Sequence, residues 1–428
     1  MVITQASDSS TSKVLSLDAF KSNRAYWSAR LTLRSISLLP LTTLLQSQPG
    51  FGAINQLVIV LCLACLLLSA CLMSYRSIYW ILFSLTGLST LLGVSMVTTP
   101  FVNINLVVYL MFWVLLLSLF ANDIDVIYRI LREDFKWFRL ISCIWCFLVL
   151  LSIPLPSSYY TVFNAPGARY FGSFTGDSFR LCPTALEVLV FLTLCMKQDY
   201  KNRWMYLLLS LLPLYSAFMG YSRTYLGVIL LMYIPFLREF SSTKGKFYLM
   251  LSVGALLAAL FIAASSIGSK FTATSQDGYL GFWGTLTSGR SLFWAHDIDS
   301  FFRFDLFHQV FGGGFNKIYE INMQIGINIW AHNDFINLAV TNGYLGLLLY
   351  FAPFILLIRS SSCLCARNKA ISYCGILLLQ WLINAMFNME YTYVCAAAAM
   401  AFSFIIMTIP SSRNSIEALP EPVSKRGE

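Results

Sequence analysis

Charged side chains are scarce in this sequence. Only 11% of its 428 residues are Asp, Glu, Lys or Arg, whereas 57% are hydrophobic. Soluble proteins average roughly 25% charged residues, so the composition excludes an ordinary water-soluble domain. Apolar stretches of about 20 residues recur along the chain, and each is long enough to cross a bilayer core. The composition therefore predicts an all-α polytopic membrane protein.

Acidic residues are fewer than basic ones, which gives a formal net charge of +9. An excess of this kind also occurs in nucleic-acid-binding proteins. Here, however, Lys and Arg are concentrated between apolar segments, as in the cytoplasmic loops of membrane proteins. We therefore expect membrane lipids, and no nucleic acid, around this chain.

Metal-binding patterns are also missing. The three histidines, His296, His308 and His332, share one polar interval, and no two are separated by three or four residues. The Cys62/Cys65 and Cys143/Cys146 pairs have metal-like spacing, but each lies inside an apolar run with no second pair beside it. Such cysteines are typical small core residues. We predict no metal, no cofactor and no disulfide framework.

Apolar runs and their flanks predict twelve spans. These are residues 35–50, 51–73, 77–98, 103–121, 138–156, 181–196, 204–219, 221–237, 247–267, 336–358, 371–389 and 391–409. With both termini cytoplasmic, the Lys- and Arg-rich loops alternate onto one side, as the positive-inside rule requires. The N-terminus lacks a signal-peptide cleavage pattern, so the first span would be an uncleaved anchor.

This topology divides the chain into five parts. They are a cytoplasmic segment (1–34), nine spans (35–267) with an outer loop at 157–180, a large outer loop (268–335), three spans (336–409) and a cytoplasmic tail (410–428). Within the large loop, the aromatic-rich residues 291–307 predict a helix lying at the membrane interface. Gly312, Gly313 and Gly314 end this segment, where the chain must turn or approach another segment closely.

Basic residues on the predicted outer face work against the orientation rule and call for another explanation, such as an anionic ligand. There are seven: Arg169, Arg180, Arg223, Lys270, Arg290, Arg303 and Lys317. Arg223 lies at the outer end of a span, where it could contact lipid headgroups or grip a phosphate with its planar guanidinium. Arg290 follows Ser288 and Gly289, which predict a helix start, and free N–H groups at helix starts favour anions.

His332 lies where the large outer loop meets the tenth predicted span. An unperturbed imidazole has a pKa of about 6.5, which suits a general base or acid near neutral pH. An interfacial histidine with only structural hydrogen bonds is the alternative. Asn333 and Asp334 are its polar neighbours, and Trp294 is either part of a headgroup belt or a platform for sugar rings.

Three acidic residues add to the candidates. Asp177 and Glu390 fall outside the spans, where either could contact an acceptor hydroxyl. Glu187 falls inside a span, and intramembrane acids usually face a cavity or a partner. Arg180 or Arg223 is the expected partner of Glu187.

An ordered set of motifs resembles the bacterial O-antigen polymerase and O-antigen ligase superfamily. The motifs are RYFGSFT (169–175), Ser222-Arg223, Gly289-Arg290 with Trp294, FGGGFN (311–316), AHNDF (331–335) and NGYLGL (342–347). They cover about residues 165–358. The resemblance implies a fold like that of C-type glycosyltransferases and an enzyme at the periplasmic face of the bacterial inner membrane.

The resemblance also implies roles for residues. Arg223 and Arg290 would hold the pyrophosphate of an undecaprenyl-pyrophosphate-linked glycan donor, and His332 would act on the acceptor hydroxyl. Arg169, Arg180, Asn333, Asp334 and Trp294 would bind substrate. No metal is implied, because arginines can neutralise the leaving group. A chain-length regulator and a flippase are the expected protein partners.

Several functions remain open at this point. A polymerase would join repeat units into O-antigen, capsular or exopolysaccharide chains, and the form of residues 332–350 favours it. A ligase would transfer finished polysaccharide to lipid A–core. A transporter of lipid-linked sugars would place its charges near the bilayer midplane and use paired broken helices, whereas this sequence concentrates them in an outer loop. A structural membrane subunit would leave the outer arginines unexplained.

Overall fold

α-Helices make up nearly all of the regular structure. A computed structural model describes residues 24–73, 75–99, 102–161, 169–241, 243, 245–248, 250–252, 254, 289–368 and 370–410. In chain order the helices are α1 (24–37), α2 (Leu39–Leu45), α3 (Phe51–Leu72), α4 (Tyr75–Thr98), α5 (Ile104–Asn122), α6 (Ile124–Glu133), α7 (Phe135–Ser152), α8 (Ser178–Gln198), α9 (Arg203–Met219), α10 (Arg223–Phe240), α11 (Arg290–Phe302), α12 (Leu306–Phe311), α13 (Lys317–Gln324), α14 (Asp334–Arg367), α15 (Cys374–Phe387) and α16 (Val394–Ile406). A short antiparallel hairpin, β1 (Tyr159–Thr161) and β2 (Arg169–Phe171), pairs Tyr160 with Tyr170.

Long apolar helices identify the molecule as a membrane protein. Within the described residues, six are long and apolar enough to span a bilayer: Phe51–Leu72, Arg76–Thr98, Ile104–Asn122, Phe135–Ser152, Ser178–Gln198 and Asp334–Arg367. Their outward surfaces expose large apolar side chains such as Leu57, Leu82, Phe147 and Ile355, as expected of a surface facing lipid. The predicted membrane class is confirmed, and the predicted count of twelve spans stays a prediction. The predicted span at 247–267 lies largely outside the described residues.

The first predicted span, 35–50, differs from the structure. Helix α1 ends before Leu38, and the short helix α2 follows with Pro40 in its first turn. After α2 the chain turns, and Gly50 adopts a left-handed conformation with φ 79° immediately before α3. Proline is tolerated at a helix start because its missing N–H would be unsatisfied there anyway. The apolar run is therefore split between two helices and a turn.

Two helices form the centre of the bundle. In α8 nearly the whole apolar stretch is buried, and every residue of α16 is buried. The two helices pack against each other, and α16 contributes the small residues Ala396–Ala399. Small side chains let helix backbones approach closely, which is the main source of helix packing within membranes.

Five ion pairs between residues far apart in sequence lie at the end of the bundle predicted to be cytoplasmic. The pairs are Arg30 and Arg34 with Asp134, Arg139 with Asp199, Lys197 with Glu239, and Arg367 with Asp125. These basic residues belong to the segments predicted to be cytoplasmic. At this end carboxylates already neutralise much of the basic charge, so the residues have a structural explanation. The candidate site residues lie at the opposite end.

Helix α14 is interrupted near that opposite end. Gly343 has non-helical backbone angles (φ 62°, ψ −159°), so the carbonyls of Val340 and Thr341 lose their partners within the helix. The N–H groups of Gly313 and Gly314 donate to these two carbonyls at 2.9 Å each. Buried carbonyls without partners would each cost about 1–3 kcal/mol. The predicted close approach at the three glycines is therefore confirmed.

The described part of the loop before α14, which begins at Gly289, contains three short helices. The predicted interfacial helix at 291–307 is divided into α11 and α12, because the chain turns at Arg303 and Asp305 caps the next helix. Helix α11 buries Phe293, Asp297 and Phe301. Its opposite side and α12 expose apolar residues: Leu292, Ile298, Phe302, Leu306 and Phe307. An exposed apolar stripe of this kind fits helices lying in the membrane interface.

Asp297 gives these helices a pH-dependent stability. Its carboxyl group is buried, and burial raises its pKa to about 7, although the nearby Asn322 side chain acts in the opposite direction. An unfolded Asp ionises near pH 4, so between about pH 4 and 7 the folded state binds more protons and stability falls as pH rises. We expect Asp297→Asn to raise the melting temperature by several degrees at about pH 8 and to raise it clearly less at about pH 5.

The exposed Asp299→Asn variant, on the same helix, is the matched control. Asp299 forms a surface ion pair with Arg303, and such pairs contribute little to stability. Scanning calorimetry of the three proteins in detergent at both pH values measures the difference. Equal melting temperatures for wild type and Asp297→Asn at about pH 8 would contradict the prediction.

Candidate functional site

Arg290 is the first residue of α11, which begins after Gly289 in a left-handed conformation with φ 82°. The predicted helix start is thus confirmed. The Nη1 group of Arg290 donates to the carbonyl of Phe387, which fixes the guanidinium beside the end of α15. Burial lowers the pKa of Arg290 to about 10, and the positive charge of Arg223 acts in the same direction. The side chain still carries its charge at neutral pH.

Arg223 occupies the equivalent position in α10. This helix begins at Arg223 after Ser222, as the sequence predicted. Its half-buried guanidinium lies close enough to Arg290 for the two charges to interact. Two like charges at neighbouring helix starts repel each other. An anion between them would remove this cost, so the pair has the electrostatic character of an anion site.

His332 lies in the loop that leads from α13 to α14. Its φ of 50° is unusual for a residue with a side chain, and strained backbone of this kind is frequent at functional sites. Burial lowers the pKa of His332 to about 4, and the charge of Arg290 contributes. The imidazole is therefore neutral at pH 7, which leaves a base role available and argues against a general acid.

Asn333 and Asp334 hold the start of α14. The side chain of Asn333 caps the helix by accepting hydrogen bonds from the N–H groups of Phe335 and Ile336 at 3.0 and 3.1 Å. Asp334 is fully buried and accepts a 2.7 Å hydrogen bond from the hydroxyl of Tyr350. These contacts fix the backbone beside His332, so we expect both residues to act by positioning the histidine.

The turn between α15 and α16, residues 388–393, is fixed from several sides. Asp334 also interacts with the backbone N–H groups of Glu390 and Tyr391. The side chain of Asn337 donates to the hydroxyl of Tyr391 at 2.6 Å, and Asn384 donates to Glu390. This turn follows Phe387 directly. The same contacts that hold the turn therefore hold the carbonyl that orients Arg290.

Trp294 joins α11 to this region. Its indole Nε1–H donates to the carbonyl of Ala331, and its ring lies 6.0 Å from that of Phe387. The contact places α11 against the residue that precedes His332. These contacts fit a positioning role, whereas the predicted role in sugar binding stays a prediction.

Arg180 and Arg169, the two other predicted binding residues, are more exposed. Arg180 lies in the first turn of α8 and pairs with Asp177 at 3.2 Å. Arg169 begins β2 and is exposed opposite Thr161. Arg180 lines a cavity together with Tyr393, which also interacts with Arg290.

The three predicted carboxylates have structural surroundings. Asp177 caps α8 by accepting from the N–H of Arg180 at 2.8 Å. Glu390 is fully buried in the turn before α16, and burial raises its pKa well above the usual range. Glu187 lies in α8 beside the thiol of Cys395. The expected arginine partner of Glu187 is not found among the described residues, because Arg180 pairs with Asp177 instead.

A polar cavity of about 600 Å³ lies next to the arginines. Tyr393 lines it and interacts electrostatically with Arg180 and Arg290. The carboxamide residues in its lining are Gln46, Asn55, Gln56 and Asn105. Reasoning from the sequence did not single these out. In the sequence they appear only as polar residues near the ends of apolar runs. Nothing in the sequence shows that these distant runs line one cavity.

The arrangement can bind an anion and accept a proton at one place. It combines two arginines at helix starts, a neutral imidazole and an adjoining polar cavity. Within the described part of the chain, no group of three or more His, Cys, Asp or Glu residues is placed to hold a metal ion. Anion binding by the protein's own residues would therefore rest on the guanidinium groups and the backbone N–H groups beside them.

The fold and composition define the class of the molecule, an α-helical protein embedded in a membrane by several long apolar helices. Its distinguishing feature is the cluster of Arg223, Arg290 and His332 at one end of the bundle. In comparisons with known proteins, no family model matches the chain, and no curated protein is significantly similar to it.

Proposed function

We propose that this protein is a glycosyltransferase that joins undecaprenyl-pyrophosphate-linked oligosaccharide units into a longer polysaccharide. The reaction would take place at the periplasmic face of a bacterial inner membrane. The products would be O-antigen, capsular or exopolysaccharide chains. A chain-length regulator and a flippase would be its partners in the membrane.

One observation carries the proposal. Arg290 is a half-buried arginine that has no salt bridge to a carboxylate within the described part of the chain, and a second arginine lies close by. Burying a charge without an opposite charge is costly. A pyrophosphate would supply that opposite charge, since guanidinium groups match phosphate oxygens with two parallel hydrogen bonds. The ordered motifs that resemble those of the polymerase and ligase superfamily favour the same ligand.

The chemistry follows from these positions. The oxygen of an acceptor hydroxyl attacks the anomeric carbon of the donor sugar, and the bond from that carbon to the pyrophosphate oxygen breaks. Lipid pyrophosphate leaves with the bonding electrons, and Arg223 and Arg290 stabilise its developing charge. The hydroxyl proton passes to His332. Both arginines are fixed at helix starts, so little reorganisation is needed as the charge develops.

Donor binding would also activate His332. In the absence of ligand, burial and the charge of Arg290 hold the pKa of His332 at about 4, which makes it a weak base. A bound pyrophosphate neutralises Arg290 and thus removes one cause of the lowered value. The imidazole then becomes a stronger base when the donor is in place. Proton removal is in this way coupled to donor binding.

Polymerase and ligase activities lead to different products, which makes deletion of the gene the decisive test. If the protein is a polymerase, the deletion strain is expected to make surface glycan capped with a single repeat unit, because transfer to the final acceptor still operates. Gel electrophoresis and mass spectrometry of the glycan measure this. Lipid-linked polymer accumulating beside an unsubstituted core would identify a ligase instead. Unchanged glycan would refute both activities.

A further inference from the structure

The cavity beside Tyr393 has no role in the chemistry described so far. Its volume of about 600 Å³ falls within the roughly 300–1,000 Å³ of ligand pockets. It lies against the site, because Trp330, two residues before His332, lines it together with Tyr393. Much of its wall comes from α3, α5 and the turn after α2, which lie outside the region that carries the family resemblance.

Four carboxamide side chains provide hydrogen-bonding groups along this wall. Asn55 is buried, accepts hydrogen bonds from Thr42 and Thr43 at 2.9 and 3.3 Å, and donates to Gln46 at 3.0 Å. This leaves the Nε2 group of Gln46 buried without a hydrogen-bond partner in the described part of the chain. An unsatisfied buried donor costs about 1–3 kcal/mol. An acceptor on a ligand, such as a hydroxyl oxygen, would remove that cost.

Gln56, next to Asn55 on α3, and Asn105 on α5 complete the set. Both are exposed and have no side-chain hydrogen bond within the described residues, so their amides can turn toward a ligand. A carboxamide offers two donors and one acceptor oxygen, which suits a group that both donates and accepts. Sugar hydroxyls are such groups, whereas a lipid chain offers neither.

The charge and the aromatic side chains of the cavity narrow the range of ligands that fit it. No described residue in its lining is a carboxylate, and its arginine, Arg180, is already paired with Asp177. Tyr109, Trp330 and Tyr393 provide rings with a polar group at one edge, which can cover an apolar sugar face and also form hydrogen bonds. The lining therefore fits an uncharged, hydroxyl-rich ring better than a second phosphate.

We infer that this cavity is a saccharide subsite that binds uncharged sugar residues of a lipid-linked glycan and selects among them through the carboxamides on α3 and α5. The inference rests on the proposed function, since it takes the glycan to be the substrate. The arginines would then hold the pyrophosphate, while the cavity holds sugars next to the reacting bond. The sugars could belong to the donor or to the acceptor.

The test uses the full-length protein in lipid nanodiscs with two probes. One is the lipid-pyrophosphate-linked repeat unit isolated from the deletion strain, and the other is the free oligosaccharide released from it by mild acid. We expect the Gln56→Leu/Asn105→Leu double variant to bind the free oligosaccharide at least about tenfold more weakly, because two hydrogen-bonding groups are lost. Calorimetry measures the affinity. Gln324→Leu, an exposed carboxamide outside the cavity, should bind like wild type.

Steady-state elongation then separates the two sources of sugar. A higher KM of the double variant for the single repeat unit would assign the cavity to the acceptor, and a higher KM for the growing chain would assign it to the donor. Wild-type affinity for the free oligosaccharide in the double variant, with unchanged KM values, would overturn the inference.

Failure of the subsite and failure of the proposed function are distinguishable. Arg290→Ala should abolish elongation and still bind the free oligosaccharide, which has no pyrophosphate. If Arg290→Ala is inactive while the double variant behaves as wild type, only the subsite is refuted. If elongation does not depend on Arg290, the proposed function itself fails.

Discussion

Replacing Arg290 with alanine is expected to reduce chain elongation about 10³-fold or more. The guanidinium is half-buried, already oriented by the Phe387 carbonyl and close to Arg223, so its loss removes a preorganised charge from the leaving group. Arg290→Lys should recover only part of the activity, because an ammonium cannot reproduce two parallel hydrogen bonds. The measurement is elongation by purified protein in liposomes supplied with the lipid-pyrophosphate-linked repeat unit.

Arg303→Ala is the matched control for charge on the same helix. Arg303 follows α11, and its exposed guanidinium pairs with Asp299 at 2.7 Å. The Arg303→Ala variant also loses one positive charge beside α11 but keeps Arg290. We therefore expect its elongation activity to stay within about twofold of wild type, because an exposed ion pair contributes little. Near-normal elongation by a well-folded Arg290→Ala protein would exclude Arg290 from leaving-group stabilisation.

Substituting Gly343 with alanine is expected to have a large effect on stability. A Cβ at this position would lie 2.6 Å from the Gln309 carbonyl oxygen and the Gly312 nitrogen, and its φ of 62° disfavours any side chain. The helix and the glycine segment would have to separate and lose the hydrogen bonds between them. We expect a destabilisation of about 3 kcal/mol or more, measured as a lower melting temperature and a reduced amount of protein in the membrane.

Gly227→Ala provides the comparison. Gly227 lies inside α10, and a Cβ there meets no atom within 4 Å. Alanine is favoured over glycine in a helix by about 1 kcal/mol, so this variant should be as stable as wild type or slightly more stable. Equal losses of stability in the two variants would show that the kink at Gly343 and its contacts with the glycine segment are not the cause of the destabilisation.

Features encoded by neighbouring residues could be predicted from the sequence. The helix start at Arg290 was expected from Ser288 and Gly289, Arg223 was expected at the end of an apolar span, and the close approach of Gly312–Gly314 was expected from the glycines themselves. The membrane class followed from composition. In each case the physical cause lies within a few residues of its effect.

Features created by packing could not be predicted. His332 was expected to titrate near its ordinary pKa. Burial and the charge of Arg290 lower that pKa, and neither effect can be read from the amino-acid sequence. Asp334 was expected at the substrate, whereas Tyr350, sixteen residues along the same helix, contacts its carboxylate. The cavity joins residues from α3, α5, α8 and the loop before α14. Only the tertiary structure brings these segments together.

Asp334 fastens the two sides of the site to each other. The loop that carries His332 ends at Asp334. The turn that follows Phe387 lies against the Asp334 carboxylate, which Tyr350 holds in place. We therefore expect a ligand that orders Arg290 to restrict the backbone at His332 as well. By thermodynamic reciprocity, an acceptor that orders His332 must tighten the hold on the donor by the same factor. Donor and acceptor are thus expected to bind cooperatively.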